Sequence, residues 1–235
     1  MTEIPDQTPD LLITKTRIKG FISAAMYVLP TAIILFGTAG TLNWPMAWAF
    51  IGICMLMFIV LIVRIDPGLR EERSKKHDDA KRWDKVCVAI LFLMGSLVLA
   101  VAGLDMRFGW TGLVPPYIQI AGMCLVAFGY IFSTWAVLSN KFFSTIVRIQ
   151  NDRGHRAVST GPYRFVRHPG YAGMLIYVLF EPLMFGSFWA LIPAVIMIPL
   201  FVVRTALEDR TLQEELAGYD DYAKQVRYRL VPGIW

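Results

Sequence analysis

Long apolar runs bounded by charged blocks limit what this chain can fold into more than any other feature. Residues 21–42, 45–63, 86–104 and 116–138 contain no Asp, Glu, Lys or Arg, and a fifth block, 171–203, holds a single carboxylate, Glu181. A helix needs about 20 apolar residues to cross a hydrocarbon layer of about 30 Å. The first four runs have that length, and the fifth reads as a tight helical hairpin. The spacing predicts an all-α fold, a polytopic membrane helix bundle of about six spans that includes a C-terminal helical hairpin. A composition of 56% hydrophobic and 17% charged residues agrees.

Charge placement orients the bundle. Of 23 lysines and arginines, all but Arg107 lie before residue 21, within 64–85, within 141–167, or from 204 onward. If the hairpin crosses and returns, those blocks share one side, as the excess of cations on cytoplasmic loops requires. Both termini are then expected in the cytoplasm. A net charge of +5 would otherwise suggest nucleic acid, but that partner calls for a basic face on a soluble domain. The basic blocks are therefore read as topology signals and contacts to membrane lipids, and no nucleic-acid partner is expected. Residues 1–20 carry no short apolar core and no small-residue cleavage site, so 21–42 is expected to stay as the first span. Cys54, Cys87 and Cys124 fall in three different runs without metal-ligand spacing. They are expected as buried free thiols, and no metal is expected.

The short connections "TLNWP", "DMRFGWTGLVPP" and "FGSFW" mark the outer side, with Trp44, Trp110 and Trp189 as interfacial residues. Polar length gathers on the inner side in 66–85, 139–170 and 204–235. The first segment alternates in charge and reads as a solvated connecting helix with His77 exposed. The second contains Gly154, Gly161, Pro162, Pro169, Gly170 and Gly173, which forbid one continuous helix. Its "HPGY" puts Pro169 in the first turn of a helix, where a missing N–H costs nothing, and the free N–H groups of that turn make a seat for a carboxylate. The third opens as a helical run rich in carboxylates, ends it at Gly218, and continues as an interfacial segment mixing aromatics with Lys and Arg. Two regions follow: 1–139, an N-terminal transmembrane bundle of four spans, and 140–235, a C-terminal region with loop, hairpin and amphipathic tail.

Because the hairpin returns the chain to the side it left, residues before 171 and after 203 should meet. Arg164, Arg167 and His168 then form one wall and Glu208 and Asp209 the other. Singly, the arginines read as headgroup anchors and the acidic pair as the end of a surface helix. Jointly, around a loop shaped by Gly and Pro, they point to a polar site just outside the hydrocarbon. Glu181 is a functional candidate because an ionisable group in an apolar span is costly, yet it stands five residues from Gly186 and reads more simply as reaching the outer interface. His155, in a hydrophilic loop, has no assigned role. No G-x-G-x-x-G, P-loop or H-E-x-x-H occurs, which excludes a soluble-type nucleotide fold and a zincin.

The stretch "GPYRFVRHPGYAG", followed by an apolar hairpin and "RTALEDRTLQEELAGYDDYAKQVRYRLVPG", resembles the isoprenylcysteine carboxyl methyltransferase family and the related phospholipid methyltransferases. The first half of the family pattern falls on Gly161, Tyr163, Arg167, His168, Pro169, Tyr171 and Gly173. The second half falls on Glu208, Asp209, Leu212, Gly218, Tyr222, Arg229 and Pro232. Upstream, "NKFFSTIVRIQNDRGH" is similar to bacterial members, whereas the N-terminal spans correspond only in being apolar. Two departures stand out: the acidic pair is usually two glutamates, where this chain has Asp209 second, and Glu181 matches no family role.

The resemblance implies an S-adenosylmethionine-dependent methyltransferase with a cytoplasmic cofactor pocket between the His-Pro loop and the post-hairpin helix. It implies Gly161, Tyr163, Arg164, His168, Pro169, Tyr171, Gly173, Glu208 and Asp209 as cofactor-binding residues, with Arg167 and Glu208 catalytic. The donor's cationic sulfonium and amine favour Glu208 and Asp209, its carboxylate favours an arginine or a helix N-terminus, and Tyr171 or Tyr163 suits the adenine. The acceptor is expected to be lipophilic, most simply a prenylcysteine-type α-carboxylate. Such a group is already ionised near neutral pH and needs no base, and Arg167 would orient it. An amine or thiol acceptor would need a base, and His168 or Glu208 would supply it. Two other classes compete. An NADPH-dependent membrane sterol or enone reductase is suggested by "VRYRLVPGIW", but it needs a clamp of several basic residues. A non-enzymatic scaffold or small transporter would spread polar residues through spans that here lack charge.

Overall fold

A computed structural model describes residues 26, 28–75 and 81–235. The regular elements among them are helices: α1 (Val28–Ala39), α2 (Pro45–Arg64), α3 (Pro67–Ser74), α4 (Arg82–Phe108), α5 (Pro116–Ser139), α6 (Pro169–Phe185), α7 (Leu191–Glu215) and α8 (Tyr219–Gln225), with 3₁₀ turns at Asn151–Arg153 and Gly161–Arg164. Helices α2, α4, α5 and α7 are long and apolar enough to cross a membrane, and α1 and α6 are shorter apolar helices. Among the described residues the chain is an all-α membrane helix bundle, as the run lengths predict. The segment 1–20, the start of the first run and His77 lie outside the described residues.

Proline sets most of the starts. Pro45, Pro67, Pro116 and Pro169 each occupy the first helical position, where the ring fixes φ and the absent N–H would have had no partner. Asp66 adds a cap to α3 by accepting from the Leu69 N–H at 2.9 Å. The hairpin turns at Gly186, whose φ of +71° strains any residue with a Cβ. No glycine or proline interrupts 203–215, so α7 runs as one rod from the apolar span into the carboxylate-rich stretch. At 25 residues it is about 37 Å long. The sequence pattern divides span from tail at Val203; the structure instead mounts Arg204, Glu208 and Asp209 on a continuous helix. That helix ends at Glu215 with Leu216 as its cap, and Gly218 opens α8 rather than closing α7.

Helices α5 and α6 meet backbone to backbone. A Cβ on Gly173 would stand 2.6 Å from the Ser133 nitrogen and 2.7 Å from the Gly129 carbonyl oxygen, and one on Gly129 would stand 2.7 Å from the Tyr177 nitrogen. In lipid, where apolar side chains gain little by meeting each other, such close backbone packing is a main source of helix association. Trp44, Phe50, Val126, Met184, Phe185 and Phe201 fill the core between helices. Phe92, Leu93, Phe128, Ile131, Ile192 and Val195 are exposed on the outer faces, as lipid contact allows. The 139/140 boundary coincides with the end of α5, and the helices flanking it share one core.

Four acids depart from the sequence reading. The alternating charges of 66–85 predict a solvated connecting helix, yet Glu72 is 1% exposed and Asp84 is fully buried, because each finds a cationic partner in the C-terminal half. Asp105, placed in an outer loop by its neighbours, belongs to α4 and is buried. It accepts from the Thr111 N–H (2.8 Å), the Thr111 hydroxyl and the Ser187 hydroxyl (2.6 Å), tying the α4–α5 connection to the hairpin turn. Glu181, which the sequence offers as reaching an interface, is 4% exposed within α6. The three cysteines are free, but only Cys54 is buried, Cys87 being partly buried and Cys124 exposed on the bundle surface.

Candidate active site

The hairpin brings its two ends together, and an open cleft lies there. The loop from Asn140 to Val158 forms one wall, and Tyr163, Arg167 and His168 with the start of α6, the C-terminal part of α7 and α8 form the rest. Its surface is strongly aromatic, with Phe142, Phe143, Tyr163, Tyr171, Tyr219 and Tyr222. The charged or titratable side chains among its lining residues include Glu208, Arg167, His168, Arg148, His155 and Arg156.

Behind the cleft stands Asp209, with no exposed surface. Its Oδ1 accepts from Arg167 Nε (2.8 Å) and the Tyr219 hydroxyl (3.0 Å), and lies 3.1 Å from His168 Nε2. Its Oδ2 accepts from Arg167 Nη2 (2.8 Å), Arg229 Nε (2.8 Å) and Gln213 Nε2 (3.4 Å). A buried carboxylate is tolerated only when its charge and lone pairs are satisfied in this way. Arg167 also donates Nη1 to the carbonyls of Val226 and Arg227, each at 2.8 Å. Backbone bonds from the Arg167 N–H to Tyr228 and from the His168 N–H to Arg229, both 2.9 Å, run alongside. The tail is thus stitched to the His-Pro loop, with Asp209 as the knot.

A second chain of contacts crosses the cleft floor. The Tyr171 hydroxyl donates to Glu208, and the Arg204 guanidinium lies over the Tyr171 ring, 5.0 Å from its centre. Arg204 donates Nε to Asp84 Oδ1 at 2.8 Å. Arg204 escaped the sequence reading, although its spacing of four from Glu208 puts both on one helix face. Asp84 and Glu72 escaped it because a run of alternating charge does not reveal which members are buried.

The expected site residues separate by position. Tyr163, Arg167, His168, Tyr171 and Glu208 line the cleft. Asp209 lies behind them. Pro169 is buried at the start of α6. Gly173 sits at the α5–α6 contact, and Gly161, with φ +61°, packs against Ser139, whose hydroxyl would be 2.5 Å from a Cβ there. Arg164 is exposed and lies over the Phe165 ring at 5.2 Å.

Burial shapes the titration of the loop and tail. It pushes the hydroxyls of Tyr163, Tyr219 and Tyr222 well up, and the charge of Asp209 adds to this for the last two, so all three stay protonated. Burial alone would lower Arg167, but its hydrogen bonds to Asp209 and that residue's charge outweigh it. His155 moves the other way: burial, then the cations of Arg148 and Arg153, pull it down to about 4. Its Nδ1 accepts the Gln150 N–H at 3.3 Å and its ring lies 4.7 Å from Phe142.

The profile of the isoprenylcysteine carboxyl methyltransferase (ICMT) family matches residues 121–214. A probable protein-S-isoprenylcysteine O-methyltransferase of Oryza sativa subsp. indica is 24% identical over 113 residues, which is 47% of this chain and 59% of that protein. The protein-S-isoprenylcysteine O-methyltransferase of Schizosaccharomyces pombe is 30% identical over 99 residues, 41% of this chain and 42% of that one. The chain thus spans about half the length of the curated relatives it matches. A solved structure of the eukaryotic intramembrane Ras methyltransferase ICMT aligns over 94% of this chain and 98% of that one, with 15% identity and a TM-score of 0.48.

Proposed function

We propose, from the match of residues 121–214 to the ICMT family profile, that the chain is a member of that family, an integral membrane methyltransferase that esterifies the α-carboxylate of a prenylcysteine-type lipophilic acceptor. The donor proposed is S-adenosylmethionine, and the observation that carries the reading is the cleft itself. An aromatic surface suits an adenine ring and a sulfonium, which aromatic faces attract as they do other cations. Glu208 offers that cation a carboxylate, and α6 opens its N-terminal N–H groups beside Gly170 and Tyr171, which line the cleft. The residues present therefore fit the donor, which when bound supplies an electrophilic methyl on a positively charged sulfur.

Tyr163, His168, Tyr171 and Glu208 are the proposed donor contacts. Gly161, Pro169, Gly173 and Asp209 would act by holding the loop and helices that carry them, and Arg164 faces outward. Arg167 commits four of its five N–H groups inside the protein. The fifth, on a residue that lines the cleft, is the proposed contact for the acceptor carboxylate. No general base is required for an acceptor already ionised at neutral pH, so positioning does most of the work. Glu208 is proposed as catalytic through its hold on the donor cation. The cation distribution supports six spans with both termini and the cleft on the cytoplasmic side, and the division into 1–139 and 140–235 is proposed as one of role.

Thermal unfolding of the detergent-purified protein with S-adenosylmethionine, S-adenosylhomocysteine or NADPH tests the donor. The first two are expected to raise the midpoint, and stabilisation by NADPH alone overturns the reading. Transfer of labelled methyl to a prenylated cysteine, and not to its α-amide, tests the acceptor.

A further inference from the structure

Residues 146–148 form part of the cleft wall, yet they and Thr145 lie in a stretch without helix or strand between α5 and the turn at Asn151. What fixes them comes from outside the family match. Asp84, at the start of α4, accepts the Val147 N–H through Oδ2 at 2.8 Å and Arg204 Nε through Oδ1 at 2.8 Å. Arg204 in turn donates Nη2 to the Thr145 carbonyl at 3.0 Å. Glu72, on α3, accepts from Arg148 Nε at 2.7 Å and lies 2.6 Å from its Nη2, both through Oε1. Neither carboxylate touches the cleft. Both are buried, so each carries a desolvation cost that only its cationic and N–H partners offset.

We propose that Glu72 and Asp84 are positioning residues of the cleft: two struts, one on α3 and one in the first turn of α4, that hold residues 145–148 against α7 and set the shape of the binding wall. What the wall binds rests on the methyl-donor reading above; the struts themselves do not. Asp84 fixes the backbone at Val147 directly and at Thr145 through Arg204, and Glu72 fixes the Arg148 side chain. The segment whose charges look solvent-facing is thereby part of the functional unit, and the cleft depends on residues outside 140–235.

The test uses the full chain in detergent with Glu72→Gln, Asp84→Asn, the conservative Glu72→Asp and, as control, Glu71→Gln on the exposed side of the same helix. Amide exchange over 145–148, calorimetric affinity for S-adenosylmethionine and the unfolding midpoint are read together. Loss of one strut removes a hydrogen bond to a charged group, so exchange is expected to quicken about tenfold and affinity to fall about tenfold. The midpoint of Glu72→Gln should fall by no more than about 6 °C, Glu72→Asp should recover part of both losses, and Glu71→Gln should change neither. Wild-type exchange at 145–148 in both strut variants overturns the proposal, and so does exchange that quickens evenly across the bundle. If Asp84→Asn does not fold, Glu72→Gln decides. If the wild type binds no S-adenosylmethionine, local quickening still upholds the struts while the methyltransferase reading fails.

Discussion

Arg167 grips Asp209 with two prongs, Nε to Oδ1 and Nη2 to Oδ2, each at 2.8 Å and both buried. The two residues stand at opposite ends of the hairpin, so this pair closes it. It also joins the third partner, the tail, because Asp209 holds Arg229 and Tyr219 while Arg167 holds the carbonyls of Val226 and Arg227.

Removing one member leaves the other as an uncompensated buried charge. Asp209→Ala is expected to cost about 3–5 kcal/mol of stability, read as the unfolding midpoint in detergent. Arg229→Ala should cost less, since its side chain is about a third exposed. A loss below about 1 kcal/mol for Asp209→Ala, typical of a surface ion pair, would mean that the knot does not hold the tail.

Glu208 answers differently because it lines the cleft and is only half-buried. Glu208→Gln keeps the shape and removes the charge, so affinity for S-adenosylmethionine should fall about tenfold or more with little change in midpoint. Unaltered affinity by calorimetry would remove Glu208 from the donor site.

Arg167→Lys keeps a cation but loses the fork that serves Asp209 and two carbonyls at once. Turnover with a carboxylate acceptor is expected to drop further than donor affinity. Equal losses in both would assign Arg167 to scaffolding alone.

His155 makes stability depend on pH. Its folded pKa of about 4 lies below the ordinary 6.5, so the unfolded chain binds more protons between those values and stability rises with pH across that window. Below about 4 both states are protonated and the dependence ends. Discounted for partial exposure, the contribution is about 1–2 kcal/mol. His155→Gln should flatten the midpoint-against-pH curve between 4 and 6.5; an unchanged curve would place the titration elsewhere.

Gly173 belongs to the helix contact. Gly173→Ala is expected to cost about 1–3 kcal/mol through overpacking, because its Cβ would meet backbone at 2.6 Å. Gly37→Ala, with nothing within 4 Å, should be neutral or stabilising by up to about 1 kcal/mol. Equal midpoints for the two variants would contradict the α5–α6 contact.

Much of this was readable in advance. Apolar run length announces the helices, Pro169 announces where α6 starts, and a hairpin of 171–203 obliges His168 and Glu208 to lie near one another. The pattern could not tell Glu208 from Asp209, which are adjacent and both acidic: a turn of about 100° per residue on α7 sends one into the cleft and the other behind it. Nor could it separate Glu72 from Glu71, of which one is buried against Arg148 and the other faces solvent beside Lys75.

The sequence by itself determined that the chain lives in a membrane and that its polar residues gather where the hairpin returns, because hydrocarbon thickness and proline act on local stretches of chain. Tertiary structure decided which acids and cations pair. Burial of Asp84 against Arg204, 120 positions away, depends on which helices are neighbours, and a charge becomes structural only once its surroundings exclude water.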